Sequence, residues 1–150
     1  MNRIPPRQLL LNLLAIVLGP AVCFFTLMAF FPLFIYATGR LFPAEDFGQF
    51  EPRGIWQAVC LLLLVWAYLL TGGLVGGIAC AMISINRERT LSALAGLLLA
   101  GAFLLSYRQD IVGYYYNEFW DRRVFTWGNP LLMALAVYAG GLLGRRLKTH

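Results

Sequence analysis

The chain has 150 residues, of which 60% are hydrophobic and 13% charged, with a formal net charge of +5. Soluble domains average about 45–50% apolar and about 25% charged residues, and a soluble fold of this size could not hide so much apolar surface. The charges gather in short islands and leave four uncharged runs of 32, 33, 18 and 21 residues, at 8–39, 54–86, 90–107 and 124–144. About 20 apolar residues cross the ~30 Å hydrocarbon layer as a helix, so the pattern predicts an all-α, four-helix integral membrane bundle of two antiparallel hairpins in a single domain.

The first span is expected over about 8–37. Pro5 and Pro6 can open it, because the N–H that a proline lacks is unsatisfied at a helix start anyway. Arg3 and Arg7 ahead of an apolar stretch resemble a secretory signal, but the apolar run continues past Cys23. The Pro-Ala-Val-Cys sequence there also lacks the small residue that a lipoprotein signal places before its cysteine, which predicts an uncleaved helix. Pro20 and Pro32 lie inside the span. Each removes a backbone hydrogen bond and crowds the preceding turn, so a bend or break is expected near them.

A connection at 41–53, punctuated by Pro43, Gly48 and Pro52, is too short to fold alone. The second span, about 55–86, starts near Trp56, an interfacial anchor by residue type. Arg87, Glu88 and Arg89 read as a tight turn that makes the second and third spans antiparallel neighbours. The third span covers about 90–107. Beyond it, Ile111, Val112, Tyr115, Phe119 and Trp120 recur at helical spacing, while Asp110, Tyr114, Asn117, Glu118, Asp121 and Arg122 occupy the opposite face. That separation predicts a short amphipathic interfacial helix over about 109–122. Asn129 and Pro130 then read as N-cap and first position of a fourth span over about 130–147, which leaves 124–128 as a loop.

With four spans, Arg3, Arg7, Arg87, Arg89, Arg145, Arg146 and Lys148 share one side, and Arg40, Arg53, Arg108, Arg122 and Arg123 the other. Positive residues in short segments near helix ends set orientation, which predicts cytoplasmic N- and C-termini in the cell inner membrane. The net positive charge is then a topology signal and a match to an anionic leaflet, and implies no nucleic acid partner.

Three spans carry small residues four apart: Gly72, Gly73, Gly76 and Gly77 in the second, Ser92, Gly96 and Ala100 in the third, and Ala136, Gly140 and Gly144 in the fourth. Such spacing strips a helix face of side chains and lets another backbone approach, which marks these glycines as helix-packing positions within the bundle or between copies. Gly-Gly-Leu-Val-Gly at 72–76 resembles Gly-Gly-Leu-Leu-Gly at 140–144, but the two lie at different depths relative to the flanking arginines. The likeness reads as convergent small-residue packing. Eight aromatic residues fall within 107–127, more than an interfacial belt requires. Tyr114, Tyr115, Tyr116, Glu118, Phe119, Trp120 and Asp121 are therefore the expected contacts for a lipid or protein partner.

Cys23, Cys60 and Cys80 all fall within spans and read as small apolar packing residues. The one histidine is His150, so the spans offer no histidine as metal ligand or general base. No cofactor, metal or catalytic residue is expected. Transporters that couple to ions keep ionisable groups inside the membrane, and these spans hold none. The chain thus reads as a non-enzymatic accessory or assembly subunit packing through glycine-rich faces. A transport or channel module functional as a homo-oligomer, and a membrane enzyme on lipid-type substrates using Asp110, Glu118 and Asp121, are the alternatives. Reporter fusions after Arg87 and after His150 are expected to read cytoplasmic and a fusion after Glu51 external; a cytoplasmic signal at Glu51 would end the four-span topology.

Overall fold

The computed structural model describes residues 5–41, 55–108 and 122–148. They form four helices and, among the described residues, no strand: α1 (Pro6–Leu41), α2 (Ile55–Ile83), α3 (Glu88–Arg108) and α4 (Arg122–Lys148). All four are long and apolar enough to cross a membrane. At 1.5 Å per residue the 36 residues of α1 extend ~54 Å, so this helix must tilt in a bilayer or project from it.

Helix α1 opens as its sequence demands. The Pro5 carbonyl accepts the first bonds, from the amides of Gln8 (2.9 Å) and Leu9 (3.1 Å), and Pro6 takes the first helical position. Of the bend or break expected at Pro20 and Pro32, no break occurs, because α1 runs through both. Membrane helices tolerate proline where neighbouring groups attend to the loosened backbone. Here the Tyr68 hydroxyl of α2 donates to the Leu27 carbonyl at 2.5 Å, next to the Met28 carbonyl that Pro32 leaves without its helical donor.

The connection between α2 and α3 sits at 84–87, earlier than the charges suggested. Asn86 adopts φ 60°, a left-handed conformation that asparagine accepts more readily than most side chains. The Leu91 amide then donates to the Arg87 carbonyl at 2.9 Å, so Glu88 and Arg89 belong to the first turn of α3. The carboxylate of Glu88 stands there against the positive end of the helix dipole.

Helix α4 also differs from expectation. It begins at Arg122, so 124–128 is helical and no loop, and Pro130 lies inside the helix. Asn129 is no N-cap: its side-chain oxygen accepts a bond from Trp66 Nε1 at 3.1 Å. An indole N–H in an apolar medium needs an acceptor, and Asn129, about two turns inside α4, supplies it. The expected interfacial helix at 109–122 lies, up to residue 121, outside the described residues.

Helices α2 and α4 form the centre, with 39% and 44% of their most apolar stretch buried against 22% for each of α1 and α3. Trp66 meets Asn129, Gly73 meets Ala136 and Ala81 meets Gly144, a constant offset of 63 residues. The two helices therefore run side by side in the same direction from Trp66 to Ala81 of α2, ~22 Å. The same offset sets 72–76 beside 135–139, so the two similar glycine segments lie at different depths. Along α1 the contacts run the other way, from Gly19 at Cys80 and Gly76, through Cys23 at Gly76, to Leu27 at Gly72. Along α3, Ser92 meets Gly141 and Gly96 meets Ala134, so α3 opposes α4. Although α2 and α3 share the short connection, their contact is much smaller than that of α2 with α4 or α1.

The core contains Leu61, Val65, Leu69, Met133 and Val137, with Cys23 and Cys80 fully buried. Cys60 departs from the packing role expected of it and faces outward. A methyl group on Gly77 would run into the Val137 carbonyl oxygen, whereas one on Gly101 would meet nothing within 4 Å. Gly77→Ala should lower stability by about 1–3 kcal/mol through overpacking. Gly101→Ala should raise it by up to ~1 kcal/mol through helix propensity. Thermal unfolding in mild detergent reads both, and equal melting temperatures for the two variants would contradict this packing.

Candidate functional site: the basic end and the lateral faces of the bundle

The start of α1, the 84–87 connection and the end of α4 meet at one end, where a chain of polar contacts joins them. Gln8 and Asn12 lie one turn apart on α1. Gln8 Nε2 donates to the Ile85 carbonyl at 3.3 Å, and the Ile85 amide donates to Asn12 Oδ1 at 2.9 Å. Both backbone groups of Ile85, just past the end of α2, thus find partners on α1. This matters because the last carbonyls of a helix have no partner within it.

Lys148 supplies the other half of the clasp. Its Nζ donates to the Ser84 carbonyl, donates to the Ala81 carbonyl at 3.3 Å and stands 3.5 Å from Glu88 Oε1. A cation at the negative end of the α2 dipole is favourable. Ser84 itself is buried and turns its hydroxyl to Ala81 O at 3.0 Å. One lysine near the end of the chain therefore ties α4 to both helices flanking the connection.

Away from this end the interior is neutral. Buried Thr38 and half-buried Thr26 turn their hydroxyls to carbonyls of their own helix at 2.9 and 2.7 Å, as exposed Thr71 does at 2.9 Å, while the hydroxyl of Ser92 is buried without a hydrogen-bond partner among the described residues. No group of three or more His, Cys, Asp or Glu side chains converges among the described residues. Between α1 and α2 an apolar groove of ≈ 290 Å³ opens sideways, lined by residues that include Phe30, Phe34, Leu64, Tyr68 and Thr71. Its floor is the stacked pair Phe34 and Tyr68, with ring centroids 4.8 Å apart.

The seven glycines singled out from sequence are all at contacts between helices. Gly72 and Gly76 face Leu27 and Cys23 of α1, Gly73 and Gly77 face Ala136 and Val137 of α4, and Gly96 faces Ala134. Gly140 and Gly144 face Leu74 and Ala81. The partner-contact candidates Tyr114, Tyr115, Tyr116, Glu118, Phe119, Trp120 and Asp121 lie outside the described residues. Sequence reading missed Gln8 with Lys148, whose role depends on a connection they do not adjoin in sequence. Their signal was there in part: Gln8 and Asn12 are polar residues four apart at the start of an apolar helix.

The outer surface is apolar on every helix, with Val17, Phe25, Leu63, Leu97 and Leu131 among the exposed side chains. A soluble monomer does not present such a surface. Four spanning helices with a neutral interior and an apolar exterior define a small multi-pass helical membrane protein. No protein-family model, curated protein or solved structure matches the chain, so its closer identity rests on its own residues.

Asn12→Leu should destabilise the bundle by about 1–3 kcal/mol, because it leaves the Ile85 N–H without its acceptor. Leu13→Ala, at an exposed position next to it, should change stability far less. Hydrogen exchange at the Ile85 amide gives a local readout, and unchanged protection in Asn12→Leu would remove the clasp from the account.

Proposed function

We propose that this chain is a non-enzymatic accessory subunit of the cytoplasmic membrane, a pre-packed helical scaffold that holds a partner against its lateral face. The observation that carries this reading is the direction of the glycine faces. Those of α2 and α4 are filled by α1, α3 and each other, so association with another protein has to use a different surface. The groove between α1 and α2 is that surface, lined in part by exposed Phe30 and Leu33. It is shaped for an apolar helix from a partner. The aromatic segment holding Tyr114, Tyr115, Tyr116, Phe119 and Trp120, with Glu118 and Asp121 as polar contacts, is the second contact on the external side.

Two features favour this over a transport module. The buried Thr38 hydroxyl is turned to a backbone carbonyl, and the central helices touch backbone to backbone where a path would run. The positive-inside rule orients the basic end toward the cytoplasm.

A photoreactive residue at Leu33, in the groove, or at Trp120, introduced in the native host, should give one discrete adduct with a different protein. Adducts with a second copy alone would move the assignment to a homo-oligomeric transport module. Lipid adducts alone would reject the partner reading.

A further inference from the structure

Three arginines converge on one cleft at the basic end. Arg89 comes from the first turn of α3, and Arg145 and Arg146 from the last turns of α4; with Leu142 they line a cavity of ≈ 320 Å³. The antiparallel contact of α3 with α4, Ser92 at Gly141 and Gly96 at Ala134, places the start of one helix beside the end of the other. The arginines therefore flank a common opening. Glu88, the one carboxylate among the described residues, is held by Lys148 at 3.5 Å. The positive end of the α3 dipole adds to the same field.

We infer that this cleft binds a phosphate group, in the form of the phosphodiester headgroup of an anionic phospholipid. Guanidinium groups match phosphate oxygens in pairs of parallel hydrogen bonds. Basic pockets between membrane helices on the cytoplasmic side are suited to anionic headgroups. Leu142 forms an apolar wall of the cavity, and exposed Tyr138 and Leu135 continue along α4 from it, with Leu97 exposed on α3 two turns from Arg89. These side chains lead from the arginines onto the lipid-facing surface, where acyl chains would lie. The proposal goes beyond the accessory reading and does not depend on it, since lipid retention is read on the isolated chain.

The full chain in uncharged detergent is titrated separately with phosphatidylglycerol, phosphatidylcholine and inorganic phosphate, with lipid retention read by native mass spectrometry and melting temperature recorded. Phosphatidylglycerol should be retained and should raise the melting temperature, and phosphatidylcholine should do neither. Arg89→Gln, Arg145→Gln and Arg146→Gln should each weaken retention about fivefold, and the triple variant on the order of 100-fold, at ~1 kcal/mol per arginine near a headgroup. All three side chains are exposed, so the single variants should keep the wild-type elution volume and helical signal, and they carry the test should the triple variant misfold. Arg7→Gln with Arg87→Gln removes two charges at the same end outside the cavity and should leave retention unchanged. Stabilisation by inorganic phosphate that depends on the three arginines and displaces lipid would uphold the phosphate site and make free phosphate its ligand. Equal retention by wild type and triple variant, equal loss in the Arg7 and Arg87 control, or no binding of either anion to wild type would overturn the proposal.

Discussion

The approach of α2's backbone to two neighbours at once is the constraint on which the rest of the bundle depends. Lipid tails are as apolar as leucine, so burying apolar side chains gives membrane helices little reason to associate, and close surface contact must do so instead. Gly72 and Gly76 open one stripe of α2 and Gly73 and Gly77 a second, turned from the first by about 100°. Helix α1 enters the first stripe and α4 the second. The doubled glycines thus fix both the closeness of two helices and the angle between them around α2. Helix α3 then joins through α4, which offers it Gly141 and the backbone of Ala134.

Polar chemistry in this molecule is kept to the places where the backbone needs it. At the basic end the carbonyls left open where α2 stops are met by Gln8 and Lys148, and the Ile85 amide by Asn12. Deeper in the bundle, Trp66 finds Asn129 and Tyr68 finds the Leu27 carbonyl beside the proline of α1. Each bond joins a helix to another helix or to the 84–87 connection, so satisfying a polar group also fixes how that helix is rotated and displaced against its neighbours. The glycine contacts along α2 and α4 fall on and to either side of the offset that the Trp66–Asn129 bond sets.

The four spans were legible because charge is so costly inside a bilayer that its absence is a direct record of depth. The glycine stripes draw the eye in sequence because small residues four apart have few other uses in an apolar helix. What could not be read was the pairing. Glycine spacing names a face without naming its occupant, and Gly73 does not tell from sequence that it meets Ala136 and not α3. Asn129-Pro130 misled for a related reason: the pair has the chemistry of a helix start, but Trp66, 63 residues away, uses the asparagine oxygen. In sequence Lys148 counted only toward the positive charge of one side, and only the fold carries it to the end of α2.

The 63-residue offset between α2 and α4 has a consequence for how the protein is made. The stripe of Gly72 and Gly76 can close as soon as α2 enters the membrane, because α1 is already there. The stripe of Gly73 and Gly77 cannot, since its occupant lies 63 residues further along the chain. At a synthesis rate of about 5–20 residues per second, the nascent chain carries an open backbone groove into lipid for roughly 3 to 13 s. During that interval the half-made protein is a helix pair with an unfilled seam, and any other helix with small residues in the right spacing competes with α4 for the place. Helix α4 is therefore the one that closes this seam to competing helices.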